Sequence, residues 1–325
     1  MSVEKNLKMS VGLCVKNMPR TLPFTLQSLL NQTMASDSEL IFVTPDIEDP
    51  SFSIFRSFLD KLTDKYYAVK YMFDNGNGLA VARRMVVDYA CSPYIVWVDG
   101  DQTVPPTFLQ RHYEFMENNP DCGACNVMPL WVGSRPHQIL EGLAWLYYTL
   151  KLAEETEIRR LGSIGGCYRV EAIRQAGNYD PRFRIAAEDG YITYRIWRCG
   201  WKLKIDAENY YYHIIRPKVR EIMKEYRGWG YGAFLETSTN TGKKLDKRIL
   251  KFMFSPVTGL KYGIIYRRFV KTNIYKMFRE RATKDGVNLP MGLPLNIALF
   301  NIPYYTLKRY AWIIGYFNSL KRYSI

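Results

Sequence analysis

The sequence YIVWVDGDQTVPP, residues 94–106, places two aspartates directly after a short apolar run. The run YIVWV has the length and the β-branched content of a buried strand. Asp99 and Asp101 are two residues apart, so their side chains share one face of an extended chain. Two carboxylates on one face repel each other unless a cation lies beside them. The pattern predicts oxygen ligands for Mg²⁺ or Mn²⁺ at the end of a strand, and a solvated acidic turn is the alternative.

Apolar runs and amphipathic segments alternate through the first two thirds of the chain. Strands are predicted at residues 10–15, 39–44, 67–73, 94–98 and 123–132, with a strand or strand pair at 202–214. Helices are predicted at residues 21–30, 52–63, 79–90, 106–118, 137–160, 169–177 and 189–199. This alternation predicts an α/β fold with a mixed, mostly parallel sheet flanked by helices. Such a sheet binds ligands beyond the carboxyl ends of its strands.

A second acidic pair lies in FRIAAEDGYITYRIW, residues 183–197. Glu188 and Asp189 begin a predicted helix, where the helix dipole favours negative charge. Helix capping explains them equally well, unless they face the same cleft as Asp99 and Asp101. In that cleft a carboxylate can deprotonate a hydroxyl nucleophile. His213 follows three tyrosines at a strand end and is either a further metal ligand beside Asp101 or a structural residue.

The net charge of +14 comes from the C-terminal third of the chain. Residues 1–213 have a net charge of −2, and residues 214–325 have a net charge of +16. Beyond residue 216 the chain looks mainly helical, with the basic clusters GKKLDKR, YRRF and LKRY between aromatic and apolar segments. Helices of this composition can lie in a membrane interface. A solvated basic face or an oligomer interface is the alternative.

The composition excludes several classes of protein. With 47% hydrophobic and 23% charged residues, the chain is not mainly disordered. Its six cysteines are scattered among apolar residues, and the lone pair Cys122 and Cys125 is a weak zinc signal. Residues 293–317 are the nearest approach to a transmembrane helix, but polar residues and Pro303 interrupt them. The first residues lack the apolar stretch of a signal peptide, so we expect a reducing, cytosolic setting.

In order and spacing, these motifs resemble glycosyltransferase family 2, whose members have the GT-A fold. VGLCVKN at residues 11–17 is similar to the family's opening strand, and GLAVARR at 78–84 is similar to its segment beside the nucleotide. VDGD at residues 98–101 is similar to the DXD motif. AAEDGYITYRIWRCGWKL at residues 186–203 resembles the family's ED segment. The resemblance covers roughly residues 10–213 and implies the GT-A fold.

The resemblance implies a role for each matching residue. The nucleotide-sugar would contact Val15, Asn17, Asp46, Gly78, Arg83 and Asp99. Asp101 would hold the divalent cation on the diphosphate, with His213 and Asp99 as further ligands. Asp189 would be the general base, and Glu188 would be its neighbour in the acceptor site.

Two segments depart from the family pattern or match it only weakly. The family often has paired aspartates after its second strand, whereas this chain has Thr44 and Pro45 there and Asp46 one step later. Both a UDP-sugar and a GDP-sugar therefore stay open. YRGWG at residues 226–230 is similar to an element in which some members contact phosphate, which makes Arg227 and Trp229 candidates. A helical turn packed on the core is the alternative for both residues.

The leading hypothesis is an inverting, metal-dependent glycosyltransferase that uses Mn²⁺ or Mg²⁺ and a nucleoside-diphosphate sugar. Residues 1–215 would be its catalytic domain, and residues 216–325 would dock on the cytosolic face of a membrane or on a second copy. The acceptor would be a lipid-linked hydroxyl or phosphate, or a glycan. A sugar-nucleotide nucleotidyltransferase is one alternative, but the segment after the first strand, KNMPRTLP, lacks a glycine-rich phosphate loop. A polyanion-binding protein is another, but it leaves the acidic motifs unexplained, and we expect no nucleic-acid partner.

Overall fold

The computed structural model of the protein describes residues 7–162, 165–241 and 254–323. Its strands are β1 (Met9–Cys14), β2 (Ser38–Thr44), β3 (Ala68–Phe73), β4 (Tyr94–Trp97), β5 (Gln102–Thr103), β6 (Cys122–Val132), β7 (Cys167–Arg169) and β8 (Lys202–Ile214). Its longer helices are α1 (Leu22–Leu30), α2 (Pro50–Lys65), α3 (Leu79–Tyr89), α4 (Phe108–Glu117), α5 (Pro136–Ala153), α6 (Val170–Gln175), α7 (Glu188–Arg198), α8 (Val219–Thr241), α9 (Ser255–Phe269), α10 (Asn273–Lys284) and α11 (Leu295–Tyr323). The predicted basic cluster GKKLDKR, residues 242–248, lies outside the described residues.

The strands form one sheet in the order β3-β2-β1-β4-β7-β6-β8-β5. Strands β3, β2, β1 and β4 run parallel to one another, and β7 continues the sheet antiparallel to β4. Every residue of β1 and β2 is buried, as expected of parallel strands covered on both faces. This arrangement confirms the predicted mixed α/β fold with a sheet flanked by helices.

One face of the sheet carries the main apolar core of the strand-rich part. Helices α1, α2 and α4 pack there through residues such as Leu26, Phe55 and Phe108, which are fully buried. The ring of Phe55 stacks on that of Phe42 in β2, with centroids 4.1 Å apart. These contacts hold the sheet rigid beneath the loops at the carboxyl ends of the parallel strands.

The predicted helix over residues 137–160 is wrong only over its last seven residues, 154–160. The observed helix α5 ends at Ala153, and Glu154, Glu155 and Glu157 follow at once. Carboxylates are unfavourable at the negative end of a helix dipole, which accounts for the early end. The segment at residues 202–214 is a single strand, and the short strand β5 was not predicted.

The chain divides into two compact units that do not follow one cut in the sequence. The first unit contains Met1–Pro129, Thr149–Arg184 and Glu188–His213. The second contains Leu130–Tyr148, Ile185–Ala187 and Ile214–Ile325. Residues 130–148 therefore belong with the C-terminal helices. The functional division at residue 215 stays a prediction.

The helices of the second unit approach each other closely at glycines. A side chain on Gly230 of α8 would overlap the Trp312 carbonyl of α11, and a side chain on Gly263 of α9 would overlap the Ala298 carbonyl. Small residues at such crossings allow the backbones to pack in direct contact. Within the described ranges, no helix has both the length and the apolar character needed to cross a membrane.

Candidate active site

The loop after β4 holds Asp99 and Asp101 in a tight turn. The backbone amide of Gln102 donates to the Asp99 carbonyl at 3.1 Å, and the Asp99 amide donates to Gln102 Oε1 at 3.2 Å. The Asp99 side chain is 26% exposed, whereas Asp101 as a whole residue is only 6% exposed. A freely solvated acidic turn does not fit these exposures. Burial, reinforced by the Asp101 carboxylate and opposed by Arg83, raises the pKa of Asp99.

His213 lies beside Asp101 because β5 and β8 pair in antiparallel register. That register sets Gln102 opposite His213, and the His213 Nε2 atom is 3.5 Å from Asp101 Oδ2. Two neighbouring ligands of one small cation are about 3 Å apart when each bond is about 2.1 Å. The imidazole and the carboxylate therefore fit a shared divalent cation. Among the residues that the structure describes, no three His, Cys, Asp or Glu side chains form a complete metal cluster, so further ligands would come from substrate or water.

Arg83, predicted to bind the nucleotide, is buried and joins the two acidic motifs. It lies on α3, is 2% exposed, and donates through Nη1 to Glu188 Oε1. Its Nη2 atom is 3.4 Å from Asp99 Oδ1, and its guanidinium lies over the Trp97 ring. The segment with GLAVARR, the DXD-like loop and the first turn of α7 thus meet at one guanidinium.

The ion pair between Arg83 and Glu188 lies in a strongly desolvated place. Burial raises the pKa of Glu188 to about 7, although Arg83 opposes the shift. The pKa of Arg83 is raised as well, because Glu188 and Asp99 outweigh the burial that opposes its charge. A guanidinium keeps its proton in proteins, so Glu188 is the partner that responds to pH.

A Glu188→Gln variant is expected to lose part of the pH dependence of its stability. The pKa of Glu188 rises from 4.5 to about 7 on folding, so between these values the folded chain holds a proton that the unfolded chain has released. The free energy of unfolding of the parent protein therefore falls as the pH rises through this window. The variant should show a flatter dependence in urea unfolding followed across it. Glu171→Gln, at an exposed position of α6, is the matched control, and equal slopes for Glu188→Gln and the parent would contradict the assignment.

Asp189 is half-buried in the first turn of α7, next to Glu188. Its Oδ1 atom accepts from the Gly190 amide at 2.6 Å, and its Oδ2 atom lies against Gly162. The negative charge of Asp189 helps to raise the pKa of both Arg83 and Asp99, so it belongs to the same group of charges. Two residues before it, Ala187 has a φ of 69°, a left-handed conformation that alanine seldom adopts.

Two buried aspartates that were not predicted organise the neighbouring loops. Asp74, after β3, accepts from the amides of Gly76 and Gly78 and shapes the turn DNGNG. Gly78 has a φ of 102°, and a side chain there would overlap the Arg184 carbonyl. Asp49 caps α2 and accepts from the Asn17 amide. An aspartate at a strand end before glycines is the sequence signal that would have found Asp74.

The other predicted nucleotide contacts occupy different environments. Val15 is buried and continues β1 by donating to the Val43 carbonyl. Asn17 is exposed with a φ of 51°, and Asp46 is exposed after β2. All three lie at the edge of the sheet where the carboxyl ends of β1 and β2 meet.

Arg227 and Trp229 lie on α8 in the second unit. Trp229 packs edge-on against Trp145 and Tyr226, with ring centroids 5.6 Å and 4.5 Å apart. Arg227 is exposed, and its carbonyl is in close contact with Gly315. The packing of Trp229 is that of a helical turn on the core, and a ligand contact by Arg227 or Trp229 stays a prediction.

The weak zinc signal falls on strand β6. Cys122 and Cys125 are three residues apart on an extended strand, so their side chains point to opposite faces. Both are fully buried, and burial raises the pKa of the Cys122 thiol to about 12. The two cysteines therefore do not share a metal.

A solved structure shares this fold. The mannosyltransferase PcManGT from Pyrobaculum calidifontis, solved in complex with GDP-Man and Mn²⁺, superposes with a TM-score of 0.64 at 14% identity. The match covers 98% of this chain and 88% of that one. The described sheet and its helices thus have the GT-A fold of glycosyltransferases.

Residues 10–169 match the family model for glycosyl transferase family 2, which is just under half of the chain. These residues form a glycosyltransferase family 2 domain. Glu188, Asp189 and His213 lie beyond the matched range.

Two curated relatives are glycosyltransferases. The glucosyl-dolichyl phosphate glucuronosyltransferase of Haloferax volcanii is 28% identical over 144 residues, 43% of this chain and 44% of that protein. The poly(ribitol-phosphate) beta-glucosyltransferase of Bacillus spizizenii is 23% identical over 212 residues, 65% of this chain and 32% of that protein. The alignments thus span less than half the length of either relative.

Proposed function

We propose that the protein transfers a sugar from a nucleoside-diphosphate sugar to an acceptor hydroxyl or phosphate, with inversion at the anomeric carbon. The observation that carries this proposal is the position of Arg83, which contacts Asp99 on one side and Glu188 on the other. Two acidic motifs 89 residues apart in the chain therefore belong to one site in the first unit. One motif would hold the donor, and the other would receive the acceptor.

The donor side is assigned to the loop after β4. Asp99 would hold the nucleoside, and the pair Asp101 and His213 would hold Mn²⁺ or Mg²⁺ against the diphosphate. When bound, the cation would stabilise the negative charge of the departing diphosphate. Arg83 would hold the Asp99 carboxylate in place through its guanidinium. Because Arg83 is buried, it has little access to a ligand itself. We therefore propose Arg83 as a positioning residue rather than a nucleotide ligand.

The acceptor side is assigned to the first turn of α7. Asp189 would take the proton of the acceptor hydroxyl as its oxygen attacks the anomeric carbon. The new bond from that oxygen to the anomeric carbon forms as the bond to the diphosphate oxygen breaks, and the nucleoside diphosphate leaves. Glu188 is 3% exposed and paired with Arg83, so it would orient this turn instead of touching the acceptor.

The C-terminal region is assigned to docking. We propose that residues 216–325 place the catalytic domain, residues 1–215, on the cytosolic face of a membrane, where a lipid-linked acceptor or a growing glycan is presented. The net charge of +16 over residues 214–325 supports attraction to an anionic surface. Self-association through the same region is the competing proposal.

The test of the donor is a panel of UDP-sugars and GDP-sugars, each measured for Mn²⁺-dependent binding and slow hydrolysis. GDP-mannose belongs in the panel because the mannosyltransferase with the same fold was solved with it. One nucleotide sugar should bind more tightly with Mn²⁺ than without it. The absence of Mn²⁺-dependent binding across the panel would overturn the proposed donor site.

An Asp101→Asn variant is expected to lose the benefit of Mn²⁺. The amide keeps the shape of the side chain but removes the charge that a hard cation needs, so the transfer rate should fall by about 10²-fold or more. Binding of the donor with and without Mn²⁺ is measured by calorimetry. Asp60→Asn, at an exposed position of α2, is the matched control. An unchanged response of Asp101→Asn to Mn²⁺ would remove Asp101 from the metal site.

A further inference from the structure

A groove between α9 and α11 of the second unit combines apolar and basic side chains. It has a volume of about 320 Å³. Leu260, Ile264, Leu295 and Leu299 line it, and each is between 39% and 53% exposed. Exposed aliphatic side chains clustered in this way mark an interaction site more often than single ones do. We call this feature the α9–α11 groove.

The packing of α9 on α11 explains why Leu260 and Ile264 are exposed. Gly259 and Gly263 on the buried face of α9 lie close against α11. Small residues at the helix contact leave no room there for leucine or isoleucine. Leu260 and Ile264 each follow one of these glycines, so they lie beside the contact with α11 and stay partly exposed along the groove.

Three cations line the same groove. Arg267, Arg268 and Lys271 are exposed at the end of α9, and no ion pair among the described residues includes any of them. Helix α9 contains no Asp or Glu, and residues 254–323 contain twelve Lys or Arg but only two Asp or Glu. The groove therefore offers positive charge beside an apolar surface and lacks acidic groups to neutralise it.

We propose that the α9–α11 groove docks the protein on a bilayer that contains anionic phospholipid. The aliphatic side chains enter the boundary of the acyl chains, and Arg267, Arg268 and Lys271 bind headgroup phosphates. The charge pattern argues against a second copy, because a twofold contact would bring the same three cations of each copy together. This inference rests on the proposed membrane association but not on the transfer chemistry.

The first test measures partition of the full chain onto vesicles of phosphatidylcholine with and without phosphatidylglycerol. The variant Arg267→Gln/Arg268→Gln/Lys271→Gln should lose about 100-fold in binding to the anionic vesicles, at the usual contribution of each basic residue near such a surface. The matched control is Lys276→Gln/Lys284→Gln/Lys321→Gln, which removes three exposed cations outside the groove. It should change binding only a few-fold. An equal loss in both triple variants would overturn the proposal in favour of diffuse attraction.

The second test addresses the apolar part of the groove. Leu260→Ser/Ile264→Ser should weaken vesicle binding by about 10-fold or more, because partly exposed aliphatic side chains lose their transfer into the acyl region. In a Leu260→Trp variant of the otherwise intact chain, brominated acyl chains should quench the added fluorescence. Absence of quenching would overturn the proposal even if the double serine variant were poorly folded.

Two competing partners are separated by the same variants. A dimer in light scattering that the double serine variant disperses, with no vesicle binding by the parent, would assign the groove to a second copy. Binding to single-stranded DNA that needs the three cations but not Leu260 and Ile264, again without vesicle binding, would assign it to a polyanion. Donor binding is measured on every variant, so a failed donor site is told apart from a failed membrane site.

Discussion

An Asp189→Asn variant is expected to lose about 10²- to 10⁴-fold in kcat while it binds the nucleotide sugar as the parent does. Asp189 is half-buried at the start of α7, and its Oδ1 atom accepts from the Gly190 amide. Asparagine keeps that acceptor, so the turn should persist. It removes the basic oxygen that takes the acceptor proton. Chemistry should therefore fail without a change in the donor site.

Two measurements separate these effects. Turnover is followed as release of the nucleoside diphosphate, and donor affinity is measured by calorimetry in the presence of Mn²⁺. Asp64→Asn, on the exposed side of α2, makes the same chemical change away from the site and should keep full activity. Normal turnover in Asp189→Asn would exclude Asp189 as the base. A parallel loss of donor binding would place it in the donor site instead.

The sequence predicted the framework of this site because strand ends are readable from local patterns. The run before Asp99 and Asp101 identified a strand, and parallel strands bring their carboxyl ends to one edge of a sheet. The structure has the strand at Tyr94–Trp97 and both aspartates in the turn after it. The fold class is confirmed for the same reason, since the alternation of strands and helices depends on local hydrophobic periodicity.

The role of Arg83 could not be read from the sequence. Its partner Glu188 is 105 residues away in the chain, and the direction of a side chain on α3 is set by packing rather than by helical periodicity. Likewise, the pairing of β5 with β8, which sets His213 beside Asp101, depends on a two-residue strand too short to predict. The membership of residues 130–148 in the second unit is also a tertiary feature.

The second unit contains a buried ion pair, and removing its cation is expected to have a large effect on the free energy of unfolding. Lys308 of α11 lies 2.6 Å from Glu141 of α5, and both side chains are at most 6% exposed. The Tyr304 and Tyr226 hydroxyls donate to the same carboxylate at 2.7 Å and 3.2 Å. Burial lowers the pKa of Lys308, although Glu141 opposes the shift. The Glu141 carboxylate of α5 therefore has buried partners on two other helices, α8 and α11.

A Lys308→Met variant is expected to lower the free energy of unfolding by about 3 to 5 kcal/mol, because a buried carboxylate is left without its cation. Methionine has a similar length, so the loss should come from charge rather than from a cavity. Urea unfolding followed by circular dichroism gives the value. Lys276→Met is the matched control, since Lys276 makes an exposed pair with Glu280 at 4.0 Å. Exposed pairs contribute about 0 to 1 kcal/mol, so that variant should unfold almost as the parent does.

The double variant Glu141→Gln/Lys308→Met tests the physical cause. Glutamine removes the unpaired charge but keeps a carbonyl oxygen that can accept from Tyr304, so most of the lost stability should return. If the double variant were as unstable as Lys308→Met alone, the loss would come from packing around residue 308 and not from the charge on Glu141. If Lys308→Met were as mild as Lys276→Met, the pair would be hydrated in solution. Recovery of stability in the double variant would instead show that the loss in Lys308→Met comes from the unpaired charge on Glu141. The buried carboxylate between α5, α8 and α11 would then depend on its cation.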